Sequence, residues 1–294
     1  MDTRGKGRIF ALIRLDLRVL ALGALTVLLG TLAVVTASAM AAKDGVEIPI
    51  VMYHSVLKDE KYHGKYVISP AELENDILYL KKHGYTTILM EDLINYTKGG
   101  SLPEKPILLT FDDGYYNNYL YAFPLAKQYR VKFVISPIGR YTDLYSESGE
   151  ANGYYSHATW EHLREMTDSG LVEVQNHSYD MHEQRSGALG VKQRTGETDS
   201  AYKARLTADL GRAQEVFKAN LGKAPSTFVY PFGAMSKSTP DIIKEMGFSA
   251  TLLCREKVST VTRDPESLYA LGRFLRESGI SSKEFFENKI NLSP

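Results

Sequence analysis

The chain has 294 residues, of which 44% are hydrophobic and 24% are charged, as in an ordinary folded globular protein. Lysine plus arginine number 35 and aspartate plus glutamate also number 35, so the formal net charge is zero. This balance argues against a nucleic-acid-binding protein that depends on an overall basic field. The single cysteine, Cys254, excludes an internal disulfide and lies in an apolar run, where a small buried side chain is expected.

The N-terminus has the features of an export or anchoring segment. Basic residues between Arg4 and Arg18 precede an uncharged apolar stretch that is long enough to span a bilayer. The run ASAMA that ends at Ala41 contains two small-residue cleavage patterns. Residues 1–42 are therefore predicted to be a cleaved signal peptide or a retained membrane anchor, and residues 43–294 one domain. The charge bias places that domain on the extracellular face of the membrane, in the cell wall, or in the secreted fraction.

From residue 46 onward, strand-like apolar runs alternate with helix-like segments. The predicted strands are 46–52, 86–90, 107–111, 132–136, 171–175, 227–230, 248–253 and 268–271. The predicted helices are 70–82, which opens on a capping box, 91–97, 119–129, 159–169, 199–221, 239–246 and a last one from 282. Seven or eight strand–helix units in one domain favour parallel pairing and a closed barrel over an open sheet.

Residues that can hold a metal follow two of the predicted strands. Asp112 and Asp113 close one apolar run, and His177 and His182 come just after the strand at 171–175. Taken singly, an Asp-Asp-Gly sequence is often a simple turn, and paired histidines are often surface residues. The combination is more specific, because each piece sits at the carboxyl end of a predicted strand. One aspartate and two histidines suit a zinc-like ion that keeps open positions for water and substrate. The second carboxylate would stay free as a base, so the pattern predicts a metal-dependent hydrolase.

Two further strand ends and two loops belong to the same predicted face. His54 follows the first strand, and the sequence Tyr230-Pro231-Phe232-Gly233 follows the strand at 227–230. Barrel enzymes place their chemistry at the carboxyl ends of the strands, which is where these residues fall. The polar loops 142–156 and 183–198 are interpreted either as surface insertions or as the rim of a substrate groove.

These motifs resemble those of the polysaccharide deacetylases, the NodB-homology or carbohydrate-esterase-4 group, over about residues 47–276. The resemblance implies an α/β fold, a distorted (β/α)7–8 TIM-like barrel of the NodB homology type. It also implies that Asp112 is the catalytic base and that Asp113, His177 and His182 bind the metal. The five-residue spacing of the two histidines is similar to that in the poly-N-acetylglucosamine deacetylases of biofilm matrices.

The third motif of the family is similar to Tyr230-Pro231-Phe232-Gly233, which implies a groove wall and a backbone N–H of Phe232 for the oxyanion. The family's arginine just before this motif is absent, and Arg273 is the candidate replacement. The family's late Leu-x-His motif is also absent. The early sequence Met52-Tyr53-His54 is similar to the permuted arrangement of the biofilm enzymes, which assigns His54 as the general acid. The alternative is that His54 only caps a strand end.

The resemblance implies a metal-dependent hydrolase that removes N-acetyl groups from N-acetylglucosamine units of an extracellular polysaccharide, above all poly-N-acetylglucosamine. A peptidoglycan or chitooligosaccharide deacetylase and a non-catalytic polysaccharide-binding homologue remain alternatives. A glycoside hydrolase fits less well, because the adjacent Asp112 and Asp113 cannot easily flank one glycosidic bond. The expected cofactor is a divalent metal, zinc first, with nickel, cobalt and iron as alternatives. The expected partners are an N-acetylated polysaccharide, the membrane if residues 1–42 are retained, and no nucleic acid, with the chain a monomer.

Overall fold

The computed structural model of the chain describes residues 45–185 and 187–293, so the predicted export segment at 1–42 lies outside the described residues. The strands are β1 (Val46–Ile48), β2 (Ile50–Tyr53), β3 (Ser55–Val56), β4 (Val67–Ile68), β5 (Thr86–Ile88), β6 (Pro106–Asp113), β7 (Phe133–Pro137), β8 (Val172–Val174), β9 (Gln184–Arg185), β10 (Ala188–Leu189), β11 (Thr227–Val229), β12 (Ala250–Leu252), β13 (Ser259–Val261) and β14 (Phe274–Leu275). The α-helices are α1 (Pro70–Lys82), α2 (Met90–Thr97), α3 (Phe123–Tyr129), α4 (Gly139–Ser148), α5 (Trp160–Asp168), α6 (Asp199–Leu221) and α7 (Thr239–Glu245). Short 3-10 turns occupy Glu60–Tyr62, Pro231–Gly233 and Pro265–Leu268, and π-helical turns occupy Asn118–Ala122 and Glu284–Lys289. Within the described ranges, no helix is both long enough and apolar enough to cross a membrane.

The parallel strands close into a ring. Hydrogen-bonded neighbours follow the order β14-β2-β6-β7-β8, and β11 pairs in parallel with β12. Two parallel bridges join these pieces, one between Asn176 and Phe228 and one between Leu252 and Leu271. The predicted distorted parallel barrel is therefore confirmed, with β5 paired to the first part of β6 beside it.

The two faces of β6 explain how the strand presents its carboxylate. Ile107, Leu109 and Phe111 pack in the hydrophobic cluster that also contains side chains from the helices. Leu108 lies on the opposite face, in the cluster with Ile50 and Val134 from the neighbouring strands. Because side chains alternate along a strand, Asp112 shares the face of Leu108 and enters the barrel at its carboxyl-terminal mouth.

Several elements differ from those that the sequence predicts. The strand predicted at 46–52 is broken at Pro49, which has no N–H, and β1 turns away to pair antiparallel with β13. The strand predicted at 268–271 is reduced to the bridge at Leu271, and β14 follows it. Helix α4 occupies the first half of the loop predicted at 142–156. Its buried residues are only Gly139 and Thr142, so the helix has no apolar periodicity to recognise.

Candidate metal centre at the mouth of the barrel

Strand β6 ends in a sharp turn that redirects Asp113. Asp113 has a φ of 68° and Gly114 a φ of 74°, so two successive residues adopt the left-handed conformation. A Cβ on Gly114 would lie 2.4 Å from the Cβ of Pro137 in β7, so glycine alone fits there. A non-glycine residue in this conformation is strained, and the strain is located where the chain leaves the barrel beside the site.

The segment between the two histidines is held by side chains that bond to its backbone. Ser178 has a φ of 74°, and its N–H donates to Oδ1 of Asn176 at 2.8 Å. The N–H groups of residues 179 and 180 donate to the two carboxylate oxygens of Asp209 on α6, at 2.9 and 2.8 Å. The long helix α6 therefore fixes the loop that carries His177 and His182.

Asp113, His177 and His182 converge on one point. Oδ1 of Asp113 lies 3.6 Å from Nε2 of His177 and 3.1 Å from Nε2 of His182. One donor atom from each of the three residues lies within 4.8 Å of the other two. The fold thus joins a strand end with a loop more than sixty residues later in the chain.

The surroundings of these donors fit a divalent cation. Nδ1 of His177 donates to the carbonyl oxygen of Val229 at 2.8 Å, which directs Nε2 toward Asp113. Oδ1 of Asp113 is buried and has no hydrogen-bond partner of adequate geometry. Buried polar atoms are rarely left without partners, and one carboxylate with two imidazoles is a typical donor set for a divalent metal.

The charges within this group of donors are strongly coupled. Burial disfavours the ionised form of Asp113, but the contacts with His177 and His182 outweigh it and hold the pKa of Asp113 well below its usual range. Burial alone would lower the pKa of His182, but the Asp113 carboxylate raises that pKa above its usual value. A cation that binds here therefore competes with a proton for His182, so metal affinity depends on pH.

Asp112 points into the barrel and pairs with Arg273. Nη1 and Nη2 of Arg273 donate to the two carboxylate oxygens at 2.7 and 2.8 Å. Both side chains are almost fully buried, with 0% of the Arg273 side chain and 3% of the Asp112 side chain exposed. Burial would raise the pKa of Asp112, but the Arg273 charge outweighs it and holds the pKa below its usual value. Arg273 is absent from the lining of the cleft, so it supports Asp112 from behind rather than facing a substrate.

His54 lies in the same cleft, although it comes from the first barrel strand. Its ring meets Tyr66 edge-on, with centroids 4.8 Å apart, and its Nδ1 is buried without a hydrogen-bond partner. Burial lowers the pKa of His54, against the opposing charges of Asp112 and Asp113. The structure therefore brings His54 to the carboxylates, as the permuted arrangement implies.

The residues of the predicted third motif divide between the cleft and the core. Phe232 has a φ of 59°, is 39% exposed, and lies over His182 with ring centroids 4.4 Å apart. Tyr230 and Pro231 are buried, and neither is among the residues that line the cleft. A Cβ on Gly190 would lie 2.8 Å from the carbonyl oxygen of Pro231, so this glycine lets the loop that carries β9 and β10 lie against the motif.

His157 supports the site, although the sequence does not predict it. Nδ1 of His157 lies 2.9 Å from the carbonyl oxygen of Asp113, and the imidazole is buried against Tyr141 with ring centroids 4.6 Å apart. The next residue, Ala158, donates its N–H to the carbonyl of Gly114 at 2.8 Å. His157 therefore holds the left-handed turn on which Asp113 sits. It precedes a helix rather than following a strand, so no sequence pattern marks it.

The cleft above these residues is large enough for an extended ligand. Its volume is about 1000 Å³, at the upper end of the range for ligand sites. Gln184 and Leu189 line one part of it, and Tyr62, Tyr66 and Tyr154 line another. Parts of the two loops predicted at 142–156 and 183–198 thus form its rim.

A closed parallel barrel with an aspartate and two histidines at its mouth defines a class of metal-binding α/β barrels. The chain belongs to the polysaccharide deacetylase family, which it matches over residues 99–251. His54 and Arg273 lie outside this span, and the structure connects them with the site: His54 lines the cleft, and Arg273 pairs with Asp112.

Individual proteins of known structure or function are also similar to the chain. It is 24% identical over 264 residues to the poly-beta-1,6-N-acetyl-D-glucosamine N-deacetylase of Escherichia coli strain K12, over 82% of this chain and 38% of that protein. It is 26% identical over 199 residues to the protein of the same name from Staphylococcus aureus strain MRSA252, over 66% of this chain and 63% of that one. The solved structure of a de-N-acetylase from Aggregatibacter actinomycetemcomitans has a TM-score of 0.71 at 26% identity, over 82% of this chain and 100% of that chain. The chain therefore spans less than two thirds of the length of these two curated relatives.

Proposed function

We propose that the chain is a metal-dependent hydrolase that removes N-acetyl groups from N-acetylglucosamine units of an extracellular polysaccharide, in the first place poly-β-1,6-N-acetylglucosamine. The observation that carries the proposal is the convergence of Asp113, His177 and His182 beside a second, ionised carboxylate in an open cleft. The names of the E. coli and S. aureus relatives support the choice of polymer. Zinc is the proposed metal, with nickel, cobalt and iron as alternatives, because a mixed nitrogen and oxygen donor set suits all four.

In the proposed reaction Asp113, His177 and His182 hold the metal. When bound, a divalent cation polarises a carbonyl oxygen and lowers the pKa of water toward about 7. Asp112, kept ionised and in place by Arg273, accepts a proton from the water that attacks the acetyl carbon. The backbone N–H of Phe232, beside His182, donates a hydrogen bond to the carbonyl oxygen as negative charge develops on it.

The leaving nitrogen needs a proton before the bond between carbon and nitrogen breaks, and we assign this step to His54. Protonated His54 donates to the amide nitrogen, and the products are acetate and a glucosamine unit. Because burial lowers the pKa of His54, its imidazolium form is a stronger acid than a solvent-exposed one. The neutral form cannot donate, so this step slows as pH rises through that pKa.

The substrate and the reaction are tested together by acetate release. Wild type and Asp113→Asn are incubated with β-1,6-N-acetylglucosamine oligomers, chitooligosaccharides and peptidoglycan fragments, with and without a chelator. We expect chelator-sensitive release by wild type, fastest on the β-1,6 oligomers, and none by the variant. Faster release from chitooligosaccharides or peptidoglycan would reassign the substrate. Absence of release from every glycan by metal-loaded wild type would contradict the enzyme activity.

We also infer that residues 1–42 export the remaining chain, which then works as a monomer at the extracellular face of the membrane, in the cell wall, or in the medium. The basic start and the apolar stretch support this inference. Fractionation of expressing cells, with protease added to intact cells, tests it. Full-length protein that is found in the cytosol and resists the protease would contradict export. Gel filtration with light scattering tests the monomer.

A further inference from the structure

Two exposed tyrosines from separate loops meet at the edge of the cleft. Tyr62 is 46% exposed and Tyr154 is 53% exposed, and their ring centroids lie 5.3 Å apart with the planes tilted by 54°. Both rings line the cleft that contains Asp113, His177 and His182. A single exposed ring is common on protein surfaces, but two exposed rings in contact beside a cleft are informative.

The loop that carries Tyr154 is tied to the strand that precedes the turn with Tyr62. Asn117 is fully buried, and its amide nitrogen donates to the carbonyl of Gly153 at 3.1 Å and to the hydroxyl of Ser55 at 2.8 Å. Its amide oxygen accepts the N–H of Val56 at 2.9 Å. One asparagine therefore connects the strand that follows His54 with the loop that carries Tyr154.

Tyr62 is also fixed locally. It ends the 3-10 turn at Glu60–Tyr62, in which the Asp59 side chain accepts the N–H of Lys61 at 3.3 Å. The ammonium of Lys61 lies 4.9 Å from the centroid of the Tyr62 ring and 2.9 Å from the Asp59 carboxylate. Lys61 covers one face of Tyr62, so a ligand meets the remaining face and the ring of Tyr154. Tyr62 and Tyr154, which we call the aromatic corner, are thus in place before any ligand arrives. This reduces the entropy that binding must overcome.

A third ring connects this corner with the site of the proposed reaction. Tyr66 is 51% exposed, lines the same cleft, and meets His54 edge-on. Its carbonyl oxygen accepts the N–H of Ser55 at 3.0 Å, so Tyr66 is held beside the strand end that carries His54. Aromatic surface therefore extends from the proposed proton donor toward the rim.

We propose that Tyr62 and Tyr154 form a stacking subsite for a pyranose ring of the polysaccharide, separate from the unit that loses its acetyl group. This inference rests on the proposed function and extends it, because it makes the preferred substrate a chain rather than a single sugar. The C–H face of a pyranose packs on an aromatic face, and the hydroxyl groups at its edge stay in water. Tyrosine suits such a contact because it offers a rigid apolar ring with few rotatable bonds.

The test compares substrate lengths. The ratio of kcat/KM on a β-1,6-N-acetylglucosamine hexamer to kcat/KM on the dimer is measured for wild type and for the double variant Tyr62→Ala/Tyr154→Ala. Loss of one aromatic contact of this kind corresponds to a fall of about 3- to 10-fold in the ratio. The double variant Tyr62→Phe/Tyr154→Phe keeps both rings and should keep the ratio. Tyr155→Ala is the matched control, because Tyr155 is 50% exposed in the same loop but does not line the cleft.

The outcomes separate this inference from the proposed function. A wild type that releases acetate, with the same length ratio in the alanine double variant, would overturn the subsite and leave the function intact. An equal fall caused by Tyr155→Ala would also overturn it. If wild type releases no acetate, calorimetric titration with the hexamer still tests the subsite, which predicts weaker binding by the double variant and unchanged binding by Tyr155→Ala. Equal binding by all three proteins would overturn it.

Discussion

Asp112 and Asp113 are neighbours in the sequence, but the fold gives them different partners. Asp112 keeps the alternation of β6 and enters the barrel, where Arg273 neutralises it. Asp113 adopts the left-handed conformation and turns its carboxylate toward His177 and His182. In the proposed reaction, the two aspartates therefore separate the task of holding a metal from the task of accepting a proton.

Replacing Asp112 by asparagine tests the second task. Asparagine keeps the shape of the side chain but cannot take a proton, so kcat should fall by roughly 10²–10⁴ while bound metal per chain is unchanged. Acetate release and metal analysis on the same preparation measure both quantities. Because Arg273 would lose its buried partner, a thermal melt must first show that the variant folds. A kcat within a few fold of wild type would show that Asp112 is not the base.

His54→Ala tests the proton donor. Breaking an amide without protonating its nitrogen is slow, so kcat should fall by roughly 10²–10⁴ with metal content unchanged. His83→Ala is the control, because His83 caps the end of α1 and does not line the cleft. Equal kcat values for the two variants would remove His54 from the reaction.

His157 acts through Asp113, so its variant should alter metal binding. His157→Phe keeps a flat ring among the tyrosines but loses the hydrogen bond to the Asp113 carbonyl. Residues that support metal ligands in this way typically contribute 10- to 100-fold in metal affinity or activity. Competition with a chromogenic chelator measures the affinity, and His157→Asn, which can still donate, should recover part of it. Wild-type affinity in His157→Phe would assign the residue a packing role only.

Among the helices and strands, the sequence predicts those whose signals lie within one short segment of the chain. The capping box at Ser69 and Glu72 forms as predicted and begins α1, and the apolar run of β6 is a buried strand. Strand β14 is harder to predict, because it is two residues long and is flanked by Arg273 and Arg276. Both arginines are buried because carboxylates from distant parts of the chain, Asp112 and Asp76, neutralise them. No local pattern contains that information.

The contact between β8 and α2 is expected to make the stability of the protein depend on pH. Glu173 accepts the N–H of Glu91 at the start of α2 at 3.3 Å, but its other carboxylate oxygen is buried without a partner. Burial raises the pKa of Glu173 to about 7, against the backbone hydrogen bonds that favour the charged form. The folded state therefore holds a proton that the unfolded state releases from its ordinary value of 4.5, and stability falls as pH rises from that value to about 7.

Glu173→Gln removes this ionisation. Above pH 7 the variant should be more stable than wild type by about 1–2 kcal/mol, a value reduced from the full shift because the side chain is partly reached by water. Near pH 4.5 the two proteins should differ little. Urea unfolding across this window measures the difference in the free energy of unfolding. A difference that stays constant with pH would contradict the raised pKa.

At the scale of the whole molecule, the site depends on how the barrel closes. The bridge from Asn176 to Phe228 brings the loop with His177 beside the end of β11, where Val229 orients the imidazole. The bridge from Leu252 to Leu271 brings Arg273 beneath Asp112. The sequence predicts a barrel and a converging metal site from strand ends. It does not predict these two bridges, the position of His157, or the aromatic corner. Those features depend on contacts between segments that carry no shared pattern.

We propose that a single divalent cation, held by Asp113, His177 and His182, is required for acetate release. The most direct test strips the protein with a chelator, returns zinc in steps, and measures bound metal and acetate release from β-1,6-N-acetylglucosamine oligomers in the same samples. We predict that the stripped protein is inactive and that activity rises in parallel with bound zinc up to one ion per chain, whereas His182→Ala neither binds zinc at that level nor gains activity. Acetate release by the stripped protein at the rate of the loaded one, or wild-type behaviour of His182→Ala, would contradict the claim.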